Sequence, residues 1–285
     1  MTLQWYPGHM TRARRELAEL MPSQDLVIEV IDARLPAAST NPVVAELGRG
    51  KPCIKVLAKG DLADPAVTRA WIAELQRHDR TVAFASAAER PGDTRKRIAE
   101  LAGRFGLRST RDRPIRALIA GVPNVGKSTL INLLMDRLVA KTGDKPAITK
   151  VQQRVVLPTG MAVTDSPGIM WPKIEDESGA LRLALAGSIP DTAIDYLTVG
   201  MFGAGWFLAR YPALVVARYK LPATPATAEG LLAEIGRRRG GLRAGGEVDL
   251  HKASEVLVRE FRQGVLGRIS LEEPEARATP VAPTA

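Results

Sequence analysis

Through the first 171 residues, short apolar runs alternate with stretches of helical periodicity. Residues 25–33 (DLVIEVIDA), 52–58, 81–85 and 115–120 are β-branched runs bounded by Gly, Pro or charged residues, and each reads as a buried strand. Between them, apolar positions recur at helical spacing over 67–77, 94–105 and 127–137. Strands alternating with helices predict a mostly parallel, doubly wound α/β sheet. Residues 153–157 and 161–164 flank Pro158-Thr159-Gly160 and predict a hairpin at the sheet edge. After Trp171-Pro172 the pattern changes. Helical spacing recurs over 180–186, 193–202, 226–235 and 250–261 with no strand alternation, and Tyr196, Phe202, Trp206 and Phe207 read as core. The expected organisation is an α/β domain over 1–171, an all-helical domain over 172–272, and a Pro/Ala-rich disordered tail over 273–285.

Composition narrows the class. At 285 residues and 45% hydrophobic content, the chain can bury one large core or two modest ones. Lys and Arg exceed Asp and Glu by 40 to 31, a net charge of +9, which favours a polyanionic partner such as nucleic acid. Cys53 is the only cysteine, so an internal disulfide and a cysteine-rich metal cluster are excluded, and its apolar run suits a buried, inert thiol. The N-terminus has no apolar signal core. The longest uncharged apolar stretch, 196–209, is too short to span a bilayer and is broken by three glycines. A soluble monomer is expected, in the cytoplasm rather than the mitochondrial matrix.

The chemistry starts at Gly121-Val-Pro-Asn-Val-Gly126-Lys127-Ser128, which matches G-x-x-x-x-G-K-[ST] between a predicted strand and a predicted helix. Glycines let backbone N–H groups close around phosphates. Lys127 then supplies a point charge, and Ser128 offers a hydroxyl to magnesium. Asn124, Val125, Gly126, Lys127, Ser128 and Thr129 form the expected phosphate-contacting set. Asp165-Ser-Pro-Gly168 ends the next strand in the D-x-x-G pattern of a switch II loop, with Asp165 on magnesium through water and the Gly168 N–H toward the γ-phosphate. The polar segment 141–150 (KTGDKPAITK) lies between them as a switch I candidate. Its magnesium ligand is expected to be Thr149, with Thr142 the alternative.

Ala58-Lys59-Gly60-Asp61 resembles the N-K-x-D loop that reads guanine, and Ser86-Ala87 resembles the Ser-Ala loop that packs on it. Both precede the phosphate loop, whereas in an ordinary GTPase they follow it. Each sits at the C-terminal end of a predicted strand, where ligands bind in such sheets. Joining the strands in a circle puts every loop in its usual place, so the expected fold is a circularly permuted P-loop GTPase domain. Switch II then leads directly into the helical part, a route for phosphate-dependent movement. Position 58 departs from the pattern. Asp61 can still accept from two guanine donors that adenine lacks, so GTP is preferred and loses about one hydrogen bond, roughly 0.5–1.5 kcal/mol.

Taken together, Trp5-Tyr-Pro-Gly-His-Met10, Asp32-Ala-Arg-Leu-Pro36, Asn41-Pro42, GVPNVGKST, DSPGIMWPK and Gly267-Arg-Ile-Ser-Leu-Glu272 resemble the ribosome biogenesis GTPase A family, the YlqF-like circularly permuted GTPases. The matching stretches run from residue 5 to 272, and Ala58 is the clear departure. The resemblance implies a GTPase that assists assembly of the large ribosomal subunit, binding its precursor in the GTP state and leaving after hydrolysis. It also implies a helical domain that contacts ribosomal RNA and hydrolysis stimulated by the particle.

Ile169 occupies the position where Ras-like enzymes orient the attacking water with glutamine, so turnover alone should be slow. His9 is the candidate for that role, on its position and on the resemblance. Asn124 resembles the asparagine with which related GTPases hold potassium, and otherwise it is a turn former. Arg237, Arg238, Arg239 and Arg243 form one basic cluster and Arg12, Arg14 and Arg15 another, each suited to RNA phosphates or to a solvated helix end. Ala58 and Ile169 also fit a rival, an RNA-binding module with a decayed nucleotide site. Intact Lys127, Ser128, Asp165 and Gly168 argue against it.

Overall fold

The computed structural model describes residues 8–86, 91–110, 112–135, 154–157, 159–166, 168–171, 174, 176–243 and 245–274. Strands are β1 (Leu26–Asp32), β2 (Cys53–Ala58), β3 (Thr81–Ala85), β4 (Arg116–Ala120), β5 (Arg154–Val156) and β6 (Ala162–Asp165). They form a six-stranded sheet in the order β3-β2-β1-β4-β6-β5, parallel except for the antiparallel edge strand β5. Every side chain of β1 is buried, the pattern of a central parallel strand covered on both faces. The expected hairpin is the β5–β6 pair.

Helices cover the two faces. They are α1 (Gly8–Leu20), α2 (Pro36–Ser39), α3 (Pro42–Leu47), α4 (Pro65–Leu75), α5 (Pro91–Arg104) and α6 (Lys127–Met135). Alternate residues divide the sheet between them. Leu26, Ile28, Val30, Ala117 and Ile119 share a cluster with Ile98 and Leu101 of α5 and Leu130 and Leu134 of α6. Val27, Leu118 and Ala120 face Ala13 and Leu17 of α1 and Val43 and Val44 of α3. Caps explain the boundaries. Asp64 accepts from the N–H groups of Ala66 and Val67, with Pro65 just inside α4, and Asn41 caps α3 in the same way. The sequence periodicity therefore placed α4 about two residues late, because it gave no weight to the Asp-Pro start.

The rest is helical: α7 (Glu177–Ala186), α8 (Tyr196–Arg210), α9 (Pro212–Tyr219), α10 (Ala228–Arg238) and α11 (Leu250–Arg262). The expected helix over 193–202 starts later, after the Asp195 cap, and runs to Arg210, and α9 follows it as an extra helix begun by Pro212. Phe207 is fully buried beside Phe261, while Tyr196, Phe202 and Trp206 are half-buried against the same core. One apolar cluster runs without a break from the sheet through α5 and α6 to α7, α8, α10 and α11. Among the described residues no single helix is long and apolar enough to cross a membrane, and α8 and α9 bend by 112° between them.

Candidate functional site

Because β1, β2, β3, β4 and β6 are parallel, the loops after their last residues all open on one edge of the sheet. The phosphate loop follows β4 at the centre. It needs its first glycine, since a Cβ on Gly121 would lie 2.3 Å from the Val30 carbonyl oxygen of the neighbouring strand. Lys127 folds back over the loop and donates to the carbonyls of Gly121 (3.1 Å) and Val122 (2.8 Å). Burial lowers its pKa to about 8 against the pull of Asp165, so an anion beside it would restore its full charge. Val125 is buried, Ser128 half-buried and Thr129 exposed.

Switch II lies on that loop. Ser166 N–H donates to Ile119 O (3.1 Å) and Ile169 N–H to Gly121 O (3.4 Å). A Cβ on Gly168 would come within 2.9 Å of Pro123 Cα and 3.0 Å of Lys127 Nζ, so only glycine allows this approach. The Ile169 side chain turns the other way, into the cluster with Ala13 and Leu17 of α1, and Asn41 Nδ2 donates to its carbonyl (2.6 Å). His9 belongs to the first turn of α1.

The base loop follows β2. Gly60 packs against Ala85 and the Ser86 carbonyl, while Ser86 N–H donates to Leu57 O (2.9 Å) and its hydroxyl meets that of Thr94 (3.0 Å). Asp61 is exposed and Ala58 half-buried. Lys59 adopts a left-handed conformation (φ 59°) and sends its Nζ to Asp32 Oδ2 (3.0 Å). Arg34 grips the same carboxylate through Nε (3.0 Å) and Nη2 (2.8 Å). Burial alone would raise the Asp32 pKa, yet the charges of Arg34 and Lys59 outweigh it and hold it well below the usual range. In the sequence, Asp32 and Arg34 stand out only as part of the stretch Asp32-Ala-Arg-Leu-Pro36. Their place at the C-terminal end of a predicted strand was the available signal for a role at this edge.

Asn124 at the top of the phosphate loop (φ 55°) donates from Nδ2 to Gly187 O (2.8 Å), the residue that ends α7. The helical part therefore touches the phosphate loop directly. The basic clusters are engaged with carboxylates of their own surroundings: Arg237 and Arg238 with Glu234, Arg243 with Asp249, Arg12 with Glu16, Arg14 with Glu46 and Arg15 with Glu19. Arg239 lies 3.8 Å from Glu260. Cys53 is half-buried, and burial pushes its thiol up to about 12, which leaves it inert. The side chain of His9, Ala87, Thr142 and Thr149, with the rest of segment 141–150, lie outside the described residues.

A family model described as 50S ribosome-binding GTPase matches residues 116–194, the stretch from β4 to the helical part. The chain is 40% identical to Ribosome biogenesis GTPase A of Bacillus licheniformis over 281 residues, covering 96% of this chain and 99% of that one. It belongs to the ribosome biogenesis GTPase A family. The family's protein from Bacillus cereus is 41% identical over 283 residues, covering 96% of this chain and 95% of that one. The GNP-bound crystal structure of YlqF from T. maritima superposes with a TM-score of 0.63 at 28% identity, over 93% of this chain and 99% of that one. The fold is therefore a circularly permuted P-loop GTPase domain followed by helices, and the activity of this ribosome biogenesis GTPase is hydrolysis of GTP to GDP and phosphate.

Proposed function

We propose that this ribosome biogenesis GTPase binds the large-subunit precursor in its GTP state and is released after hydrolysis, slow alone and stimulated by the particle. The observation that carries the reading is the path from the nucleotide edge into the helices. Switch II runs on from Gly168 into α7, and the end of α7 accepts from Asn124 of the phosphate loop. A change at the γ-phosphate has a short covalent and hydrogen-bonded route to the RNA-facing half. Residues 1–171 would act as the switch and 172–272 as the domain for ribosomal RNA, with 273–285 a tail. The protein would work as a cytoplasmic monomer.

In this reading Asp61 accepts from the two guanine donors, and Lys59, Gly60 and Ser86-Ala87 frame the base beside Ala58. Backbone N–H groups from Asn124 to Thr129 and of Gly168 bind the phosphates. Lys127 neutralises charge that builds on the β,γ-bridging oxygen as water attacks in line. Ser128, Thr149 and Asp165 are the candidate magnesium residues. An oxygen-only donor set of hydroxyls and one buried carboxylate suits a hard cation shared with substrate phosphates. Magnesium would draw charge from the phosphate oxygens when bound. Asn124 is the candidate residue for potassium. His9 would orient the water.

The deciding experiment is GTP turnover with and without purified large ribosomal subunits. Stimulation by at least tenfold is expected. RNA-dependent binding with no added turnover would instead favour the module with a decayed site.

A further inference from the structure

Where the sheet half meets the helices there is a cleft of about 760 Å³. That lies within the roughly 300–1,000 Å³ typical of ligand sites, which favour such junctions. Three of the chain's four tryptophans line it: Trp71 on α4, Trp171 just beyond switch II, and Trp206 on α8. Two have their indole N–H groups already satisfied by the C-terminal segment. Trp71 donates to Glu272 O (3.1 Å) and Trp206 to Ser270 O (2.9 Å). What these rings can still offer is aromatic surface.

The charged lining is lopsided. Among the described residues, Glu74, Asp176, Glu272 and Glu273 face Arg182 and His78, a local excess of carboxylates on a chain whose net charge is +9. Glu74 pairs with Arg77, Glu273 with Arg210, and Asp176 lies 3.8 Å from Arg182. Glu272 differs. It is 7% exposed, its Oε1 accepts from the Ala38 N–H (3.1 Å), and no cation lies within ion-pair distance among the described residues. Burial raises its pKa to about 7 against the Ala38 N–H and the charge of Arg182. A buried carboxylate with only backbone donors gains much from a cation brought to it. The cleft's chemistry already suits one, because the Arg182 guanidinium lies 5.6 Å from the centre of the Trp206 ring.

We propose that this cleft is a docking site for a basic peptide segment of a partner protein, with an Arg or Lys side chain entering among the tryptophans toward Glu272. Charge selects the occupant. The carboxylates repel nucleic-acid phosphates, whereas a guanidinium or ammonium finds both a counter-ion and aromatic faces. Trp171 stands three residues after Gly168, and α4 starts four residues after Asp61, so an occupant touches walls continuous with two nucleotide loops. Docking would thereby report a protein contact to the switch, separately from any RNA contact of the helices.

The test uses the full chain with GDP and the peptide Gly-Arg-Gly-Arg-Gly-Arg-Gly, followed by tryptophan fluorescence and calorimetry. Saturable binding is expected, and none by the same peptide with Glu for Arg. Glu272→Gln should weaken binding by about tenfold, the worth of one charge-assisted contact, while GDP affinity stays unchanged. Should that variant fail to fold, the more accessible pair Glu74→Gln with Glu273→Gln decides, with an expected loss of several-fold. Equal binding of the acidic peptide, or no effect of these replacements, overturns the proposal. So does a single-stranded RNA, or free spermidine, that gives the same Glu272-dependent signal as tightly as the peptide.

Discussion

Ala58 ends β2 beside the phosphate loop, where a Cβ built on Gly126 would lie 3.3 Å from its own. An asparagine there would set its amide against that loop and the base edge. Ala58→Asn should therefore tighten GDP binding, by no more than about tenfold, the worth of one hydrogen bond. Competition with labelled GDP checks this, and GDP should outcompete ATP in both forms because Asp61 is unchanged. Glu272 gives a second residue-scale prediction. Its folded pKa, about 7, exceeds the ordinary 4.5, so the fold favours the protonated form. Its contribution is full below pH 4.5 and is lost as pH rises through 7, up to about 3 kcal/mol. Glu272→Gln, which keeps an acceptor for Ala38, should gain stability over the parent at pH 8 and not at pH 4.5 in urea melts. Lys127, Ser128, Asp165 and Gly168 were legible as letters because their motifs are local. The Arg34–Asp32–Lys59 network was not, because Lys59 reaches Asp32 only once β1 and β2 pair.

Among the elements, strands were the most legible, since each buried strand is a compact β-branched run. The short helices α2, α3 and α9, each begun by a proline, were missed because they are too short for periodicity to show. The C-terminal segment that carries Gly267-Arg-Ile-Ser-Leu-Glu272 has no periodicity at all, yet it binds the sheet half like a strap. Ile269 N–H donates to Leu62 O (2.9 Å), Leu271 N–H to Arg34 O (2.6 Å), and Ser270 Oγ accepts from Asp64 N–H (3.2 Å). These partners lie some 200 residues away, beyond the reach of local pattern. Leu62 follows Asp61 directly, so the strap braces the base loop. Ile269→Ala, at a fully buried position, should cost about 2–4 kcal/mol and also speed GDP release. Leu257→Ala, equally buried in α11, should cost as much and leave release unchanged. Stopped-flow release of a fluorescent GDP separates the two. Equal release rates would make the strap a packing element alone.

At the scale of the whole molecule, the permutation was readable because motif order along the chain and strand order in the sheet constrain each other. The phosphate loop follows the fourth strand and the base loop the second, and the sheet sets β4 between β1 and β6. What motif order could not reveal is that the N-terminal helix is seated on switch II. Ala13 and Leu17 of α1 share a cluster with Ile169, whose side chain is 1% exposed and so has no access to the attacking water. In the proposed reading a group from elsewhere places that water, and α1 carries His9 in the turn nearest its start, on a helix whose body packs against the residue after Gly168. In the proposed reading, a particle that fixes the N-terminal segment carries the imidazole over the γ-phosphate. His9→Ala should leave GDP and GTP affinity nearly intact and remove most of the particle-stimulated turnover, by about 10²-fold or more for a general base. Lys127→Ala should instead weaken nucleotide binding itself, because in the proposed reading it removes the charge offered to the phosphates. Single-turnover hydrolysis with large subunits, alongside nucleotide titrations, distinguishes the two. Full stimulated turnover in the His9 variant would pass the role to potassium at Asn124 or to a group supplied by the particle.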